Sequence, residues 1–307
     1  MATRTLDSSP SILPLYARAA APMIPGASLL PFVPGGGGEM PELDLQLEDV
    51  RAAAADVSAY ARVCGFPLRD RLPPTYPHLL AFPLHMAVMA DGGFPFGAVG
   101  LVHVENRIEQ RRPIGLEESV TVRVRPTALQ PHPKGRSFSL LTEVSVDGDV
   151  VWTSGSTMLR RGKGDERAGG ADSFAALPAE APASAEWKLG SDLGRRYASV
   201  SGDRNPIHMH SLTAKPLGFP GAIAHGMWTK ARCLAALDSR LPEAFTVDVR
   251  FRKPILLPAR VELASDGEGE EILFAVRDAK RRTPHLDGRV RPVEDKPKAK
   301  DKRKNTQ

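Results

Sequence analysis

Residues 197–210 read YASVSGDRNPIHMH, a run in which the carboxylate of Asp203 and the imidazole of His208 stand five positions apart. Imidazole titrates near neutrality, at about 6.5 when unperturbed, and a neighbouring carboxylate can orient either its ring or a water molecule beside it. Asn205-Pro206 lies between the two and favours a turn, which lets side chains at this spacing converge where a regular strand would keep them apart. The pattern is suited to general acid–base chemistry. The plain alternative is a polar bend capped by Asp203 and Asn205, with His208 as a hydrogen-bonded buried histidine. Spacing alone leaves open which of Asp203 and His208 would act as the base. His208-Met209-His210 invites a metal reading, but no third acidic or thiol ligand follows at the usual spacing, so no metal is expected.

A second set of groups follows in Ala224-His225-Gly226-Met227, the lead into GAIAHGMWTKARCLAALD. This stretch has few polar positions and reads as a helix buried on most sides. Gly226 falls near its start, where unpaired backbone N–H groups and the helix dipole favour negative charge, and glycine lets a carbonyl approach closely. His225 and His210 read more readily as packing or hydrogen-bonding residues than as catalysts, and Met227 and Trp228 as core.

The elements that must position these groups come in two sets. YARVCG at 60–65 and YASVSG at 197–202 share Tyr, Ala, Val and Gly at the same offsets. Farther on, VHVENRIEQRRPI ends at Ile114 and FTVDVRFRKPI at Ile255, each closing on a basic pair, a proline and an isoleucine. Two matches in register argue for an internal duplication. Each half has an apolar stretch, HLLAFPLHMAVMA in the first, followed by segments such as ESVTVRVRP and EILFAVRD that are rich in Val, Leu, Thr and Phe. One hydrophobic helix followed by antiparallel strands is an α+β layout in which a sheet covers the helix.

Composition limits what else the chain can be. Its 307 residues suffice for two ordinary domains. Of the net charge of +5, residues 294–307 carry +3, leaving +2 for the rest, so a nucleic-acid surface is not expected. Cys64 and Cys233 sit among apolar residues and read as small buried thiols. Pro10, Pro14, Pro22, Pro25 and Arg18 interrupt the apolar N-terminal run before it reaches the length of a membrane span, so the expectation is a cytoplasmic protein. No Gly-rich dinucleotide loop follows a strand, so no redox cofactor is expected. The boundaries expected are an irregular extension over 1–39, a first half over 40–163, an Ala/Gly/Pro-rich linker over 164–185, a second half over 186–293 and a disordered basic tail over 294–307.

Taken in order, Gly202, Asp203, Asn205, Pro206, His208, Ala214 and the Ala224–Met227 block resemble the hydratase-2 signature of the MaoC-like dehydratases, hotdog-fold enzymes that act on acyl thioesters. The resemblance implies a double hotdog, with two antiparallel sheets each wrapped on a central hydrophobic helix. It implies reversible hydration of trans-2-enoyl thioesters to (R)-3-hydroxyacyl thioesters, with the acyl group carried on coenzyme A or acyl carrier protein. Carried over residue by residue, it makes Asp203 and His208 the catalytic pair and Gly226 the backbone oxyanion donor, and it puts Asn205 and His225 on the substrate side. Single-hotdog relatives pair as homodimers, whereas this chain carries both protomers fused, and a homodimer of such double chains stays open.

The first half departs from the signature. Counting from the shared glycine, Phe66 takes the place of Asp203 and Arg71 that of His208, so one active site is expected, in the second half. The first half would then supply surface, burying the second helix and shaping an acyl tunnel. Arg250, Arg252 and Lys253 are candidates to meet carrier phosphates. A hotdog-fold acyl thioesterase and a non-catalytic acyl-binding protein are the rival readings.

Overall fold

The computed structural model describes residues 3–20, 38–97, 100–168 and 174–293. The first half comprises β1 (Arg4–Leu6), α1 (Ile12–Ala20), β2 (Leu45–Val50), α2 (Ala54–Cys64), α3 (Pro77–Met89), β3 (Leu101–Gln110), β4 (Val120–Pro126), β5 (Gln130–His132), β6 (Gly135–Val146) and β7 (Asp149–Arg161). The second comprises β8 (Ala183–Leu189), α4 (Leu193–Ser201), α5 (Pro206–Met209), α6 (Ser211–Ala214), α7 (Gly226–Ala236), β9 (Phe245–Phe251), β10 (Ala259–Asp266), β11 (Ile272–Asp278) and β12 (Pro284–Pro292).

The two halves share one strand order. From edge to centre the first runs β2-β4-β6-β7-β3 and the second β8-β10-β11-β12-β9. Instead of two separate sheets, β3 and β9 pair antiparallel at the centre and join everything into one continuous sheet, from Glu105 opposite Arg250 to Gln110 opposite Phe245. Within that seam Arg107 faces Asp248, two positions separated in sequence by the same interval as Pro113 and Pro254. The seam is thus where the repeat folds onto itself, and Arg107 and Asp248 close an ion pair across it at 3.2 Å.

The repeated YAxVxG motif has a local cause. In α2 and α4 its tyrosine and alanine face the core, and its glycine ends the helix in the left-handed region. Gly65 at φ 83° and Gly202 at φ 75° donate their N–H to Ala61 O and Ala198 O, a helix end that costs a residue with a Cβ more than it costs glycine. The two motif tyrosines, Tyr60 and Tyr197, meet between the halves with ring centroids 6.2 Å apart. α3 and α7 lie buried on the sheet, and α7 contributes Lys230, whose ammonium reaches Asn106 Oδ1 at 2.5 Å, Asn106 O at 3.1 Å and Val247 O at 3.2 Å. Three oxygens from the two central strands thus take its three donors, while burial pushes its pKa well down. Cys64 and Cys233 are buried free thiols, as expected.

Two expectations about segments outside the halves differ from what is observed. The extension over 1–39 is not irregular where it is described: β1 adds to the sheet edge parallel to β2, and α1 packs against α3. The 164–185 segment is not a bare linker either. Phe174 and Leu177 are buried, and Arg277 donates to the carbonyls of Pro178, Ala179 and Ala181. Isolated apolar residues in an Ala/Gly/Pro-rich run leave no periodic signal, which hides such anchoring from a composition reading. Residues 21–37 and the tail over 294–307 lie outside the described residues. Among the described residues, no helix is long and apolar enough to cross a membrane.

Candidate active site

The left-handed turn at Gly202 redirects the chain out of α4 and presents Asp203. Asn205 then caps α5, its side chain accepting from Ile207 N at 3.4 Å, and Pro206 fills the first helical position, where a missing N–H costs nothing. One turn of α5 carries His208 back toward Asp203. Among the sequence-assigned residues, Asp203, Asn205, His208, His225 and Gly226 all line one cavity of about 360 Å³. Asn205 serves chiefly as the cap that turns the chain, while Asp203, His208 and His225 hold ligand-type atoms within 4.8 Å of one another.

Hydrogen bonding fixes which nitrogens carry protons. His208 Nδ1 lies 2.8 Å from Ile223 O, and a carbonyl only accepts, so Nδ1 is the protonated nitrogen and Nε2 keeps its lone pair. Burial pushes the His208 pKa below the ordinary imidazole value, with Asp203 opposing, so the ring is neutral at neutral pH. His225 donates from Nε2 to the backbone carbonyl of Asp203 at 3.0 Å and stacks on His208 with centroids 3.7 Å apart. Burial pushes its pKa down to about 3. At 2% side-chain exposure it is sealed, against 29% for Asp203, so it acts as a hydrogen-bonded brace under the pair. The trio could present one nitrogen from each ring and a carboxylate to a divalent cation, the other nitrogen of each ring donating to a carbonyl.

Asp203 is the more accessible of the two groups and its charge is well supported. Burial works to raise its pKa, yet the neighbouring imidazoles, the Asn205 N–H at 3.1 Å and the Tyr16 hydroxyl at 2.9 Å outweigh it and hold the carboxyl below its usual value. Facing this carboxylate and the His208 lone pair, α7 begins at Gly226, so the first N–H groups of the helix have no intrahelical acceptor. A Cβ on Gly226 would stand 3.0–3.2 Å from the Phe251 ring, so glycine lets that ring close against the helix start. Together these groups offer a carboxylate, a neutral imidazole with a free lone pair and a helix tip able to receive negative charge.

The first half builds much of the cavity wall. His78, Phe82, His85 and Met89 of α3, the Leu101–Glu105 stretch of β3 and Met158 of β7 line it. Sequence reasoning missed the histidines among them. His78, His85 and His103 are all held below the ordinary imidazole value, first by burial, to about 4 for His78 and about 3 for His103. Exposed Lys134 and Arg161 from the first half and Arg252 and Lys253 from the second also line it, marking its opening. Arg250 lines the cavity as well but is half-buried where the other four are exposed: its guanidinium lies 4.2 Å from the centre of the Phe174 ring and donates to Phe174 O.

Two further results were not legible in the sequence. Tyr16, from α1, reaches Asp203 across 187 positions. No spacing signal could have announced that pairing. The correspondence between His208 and Arg71, obtained by counting from the shared glycine, is overturned by the backbone. Arg71 bridges Gly115 just as Ile223 bridges Leu256, and Leu72 N donates to Ile114 O as Ala224 N does to Ile255 O. Arg71 therefore matches Ile223, and the segment bearing α5, α6 and His208 is an insertion without a first-half counterpart. Three residues beyond the bridged position, where the second half has Gly226, the first has Pro74, which has no N–H. The first-half equivalent of the cavity is a pocket of about 50 Å³ lined by Phe66, Arg71, Pro73 and Pro74.

Comparison with known proteins gives consistent matches. The family described as MaoC like domain matches residues 174–288. The chain is 39% identical over 266 residues to 3-hydroxyacyl-thioester dehydratase X of Mycobacterium tuberculosis, covering 86% of this chain and 94% of that protein. The crystal structure of HtdX from the same organism superposes with a TM-score of 0.73 at 37% identity, over 81% of this chain and 100% of the other. A MaoC-like dehydratase from Phytophthora capsici, 21% identical, shares the fold with a TM-score of 0.69 over 83% of this chain and 97% of the other.

Proposed function

The chain belongs to the MaoC-like dehydratase family, a family of hydro-lyases, and on that premise we propose that it interconverts trans-2-enoyl and (R)-3-hydroxyacyl thioesters at Asp203 and His208. In the hydration direction the thioester carbonyl lies against the start of α7, where the first N–H groups have no intrahelical acceptor. A water molecule sits between the Asp203 carboxylate and His208 Nε2. His208 takes one proton from it as the oxygen bonds to C3, and the π electrons move through C2 onto the thioester oxygen. The helix-tip amides hold that charge, and one such donor is worth about 3 kcal/mol of barrier. The imidazolium then returns the proton to C2 as the carbonyl reforms, so hydrogen and hydroxyl add to the same face. Dehydration is the reverse.

The observation that carries this reading is the tautomer of His208. The Ile223 carbonyl fixes the proton on Nδ1, so a neutral lone pair is available beside the carboxylate, and that makes His208 the base. Asp203, held below its ordinary value, is the weaker base and the better anchor for water. The basic rim of Lys134, Arg161, Arg252 and Lys253 suits a phosphate-bearing carrier, coenzyme A or the phosphopantetheine arm of acyl carrier protein. The test is the enoyl absorbance of crotonyl-coenzyme A and longer homologues. It should fall with the protein present and not with Asp203→Asn or His208→Ala, while full activity in either variant rejects the assignment. Release of free thiol, read with a thiol-reactive dye, would mark hydrolysis instead.

A further inference from the structure

We propose that Tyr16, supplied by the N-terminal helix α1, is a positioning residue for Asp203, so that residues far outside the matched 174–288 domain complete the active site. The Tyr16 hydroxyl donates to Asp203 Oδ1 at 2.9 Å and accepts from Arg204 N at 2.8 Å. It therefore clamps the side chain of one residue and the backbone of the next, at the turn that leads into α5. With Asn205 N also on Oδ1, that oxygen is fully engaged and Oδ2 is left for water. Tyr16 does not line the cavity, so it acts on the carboxylate from behind and not on the substrate.

Its placement is built into the fold. β1 pairs with β2 and Thr3 Oγ1 donates to Asp44 Oδ2 at 3.1 Å, which fastens the segment ahead of α1. α1 then packs on α3, and Ile12 Cδ1 lies where a Cβ on Gly202 would point, closing the space behind the turn. A phenol buried against a carboxylate stays protonated, since burial and the Asp203 charge both raise its pKa, so the donor is permanent. The other titratable groups around Asp203 are His208, His225 and Tyr197, with His78 of α3 and His103 of β3 farther off.

This inference rests on the hydratase reading for its kinetic arm alone. Tyr16→Phe removes only the hydroxyl, so kcat should fall about tenfold, as expected for loss of a hydrogen bond to a charged group, with KM within about twofold. The Asp203 step of the acid limb of the kcat/KM profile, distinct from the His208 step, should move to higher pH, because a carboxylate stripped of a donor is easier to protonate. Carbon-13 titration of the Asp203 carboxyl in the free protein should show the same upward move, with no substrate present. A 3-fluorotyrosine at position 16, a stronger donor of the same shape, should move that midpoint downward even if the phenylalanine variant folds poorly. Leu13→Ala, exposed on the same helix, should change none of these. Unchanged kcat, acid limb and Asp203 midpoint in Tyr16→Phe overturn the proposal, and so does a change confined to KM. An Asp203 midpoint that rises in a protein hydrating no enoyl thioester upholds the clamp and sinks the functional reading instead.

Discussion

From Gly65 the first half takes seven positions to reach Leu72, whose N–H bonds Ile114 O, whereas from Gly202 the second half takes twenty-two to reach Ala224, whose N–H bonds Ile255 O. Before and after that interval the two halves match closely: the same helix cap, the same strand order, the same basic-Pro-Ile close to the central strand. The extra segment holds the carboxylate-bearing turn and His208, and the helix start it faces has glycine in one half and proline in the other. The Asp203–His208 pair is therefore an addition to one copy of a repeated frame, and the other copy has a small, proline-lined pocket in the equivalent space. A repeat can conserve backbone bridging while losing any residue-to-residue match between its ends.

Experiments can break that contrast or sharpen it. The largest effect should come from His208→Ala, with hydration slowed by a factor of about 10²–10⁴, the usual contribution of a positioned acid–base group. Arg71→Ala in the first half should leave the rate intact, and equal losses in both would end the division of labour. Because burial holds the His208 pKa below the ordinary value, the base is neutral at neutral pH, and kcat/KM should fall as pH drops through that lowered pKa, with protonation of Asp203 adding its own step. Next is Gly226→Ala, whose Cβ must displace Phe251 at the helix tip and should cost roughly tenfold in kcat, measured against an unchanged fold by circular dichroism. Smaller and shared are Gly202→Ala and Gly65→Ala. Each forces a Cβ into a left-handed helix cap and should cost about 1 kcal/mol in chemical denaturation, but only the first should also lower kcat. The smallest expected effect is none: Phe66→Asp with Arg71→His, placed in a His208→Ala background, should restore no activity, since the first half has no counterpart of α5 and has Pro74, without an N–H, where the second has Gly226.

The frame was legible in the sequence because its marks are local. A tyrosine, an alanine and a glycine at fixed offsets describe a helix end, and the HGM block announces the buried helix that begins at Gly226. The pair Asp203 and His208 was legible for the same reason, since a turn between them is encoded by Asn205-Pro206. What escaped were partnerships without proximity. Tyr16 sits in a proline-broken run with no periodicity to recommend it, and Phe174 lies in a stretch whose composition suggests a spacer. His78, His85 and His103 are spread over two elements of the first half and become one wall only when α3 lies on the sheet beside β3. Nothing in the strand of Arg250 predicts the Phe174 ring that its guanidinium stacks on.

The central pairing of β3 with β9 has a consequence for how such a chain changes over time. In a symmetric pair of separate molecules each substitution would appear twice, once in the working cleft and once across from it, and the pair would come apart on dilution. Here both lobes belong to one covalent chain, so their docking is intramolecular and their ratio is fixed at one to one whatever the abundance of the protein. A replacement such as Pro74 could then settle into one lobe without touching the other, leaving that lobe to specialise as a mould for the ligand while its twin kept the reacting atoms.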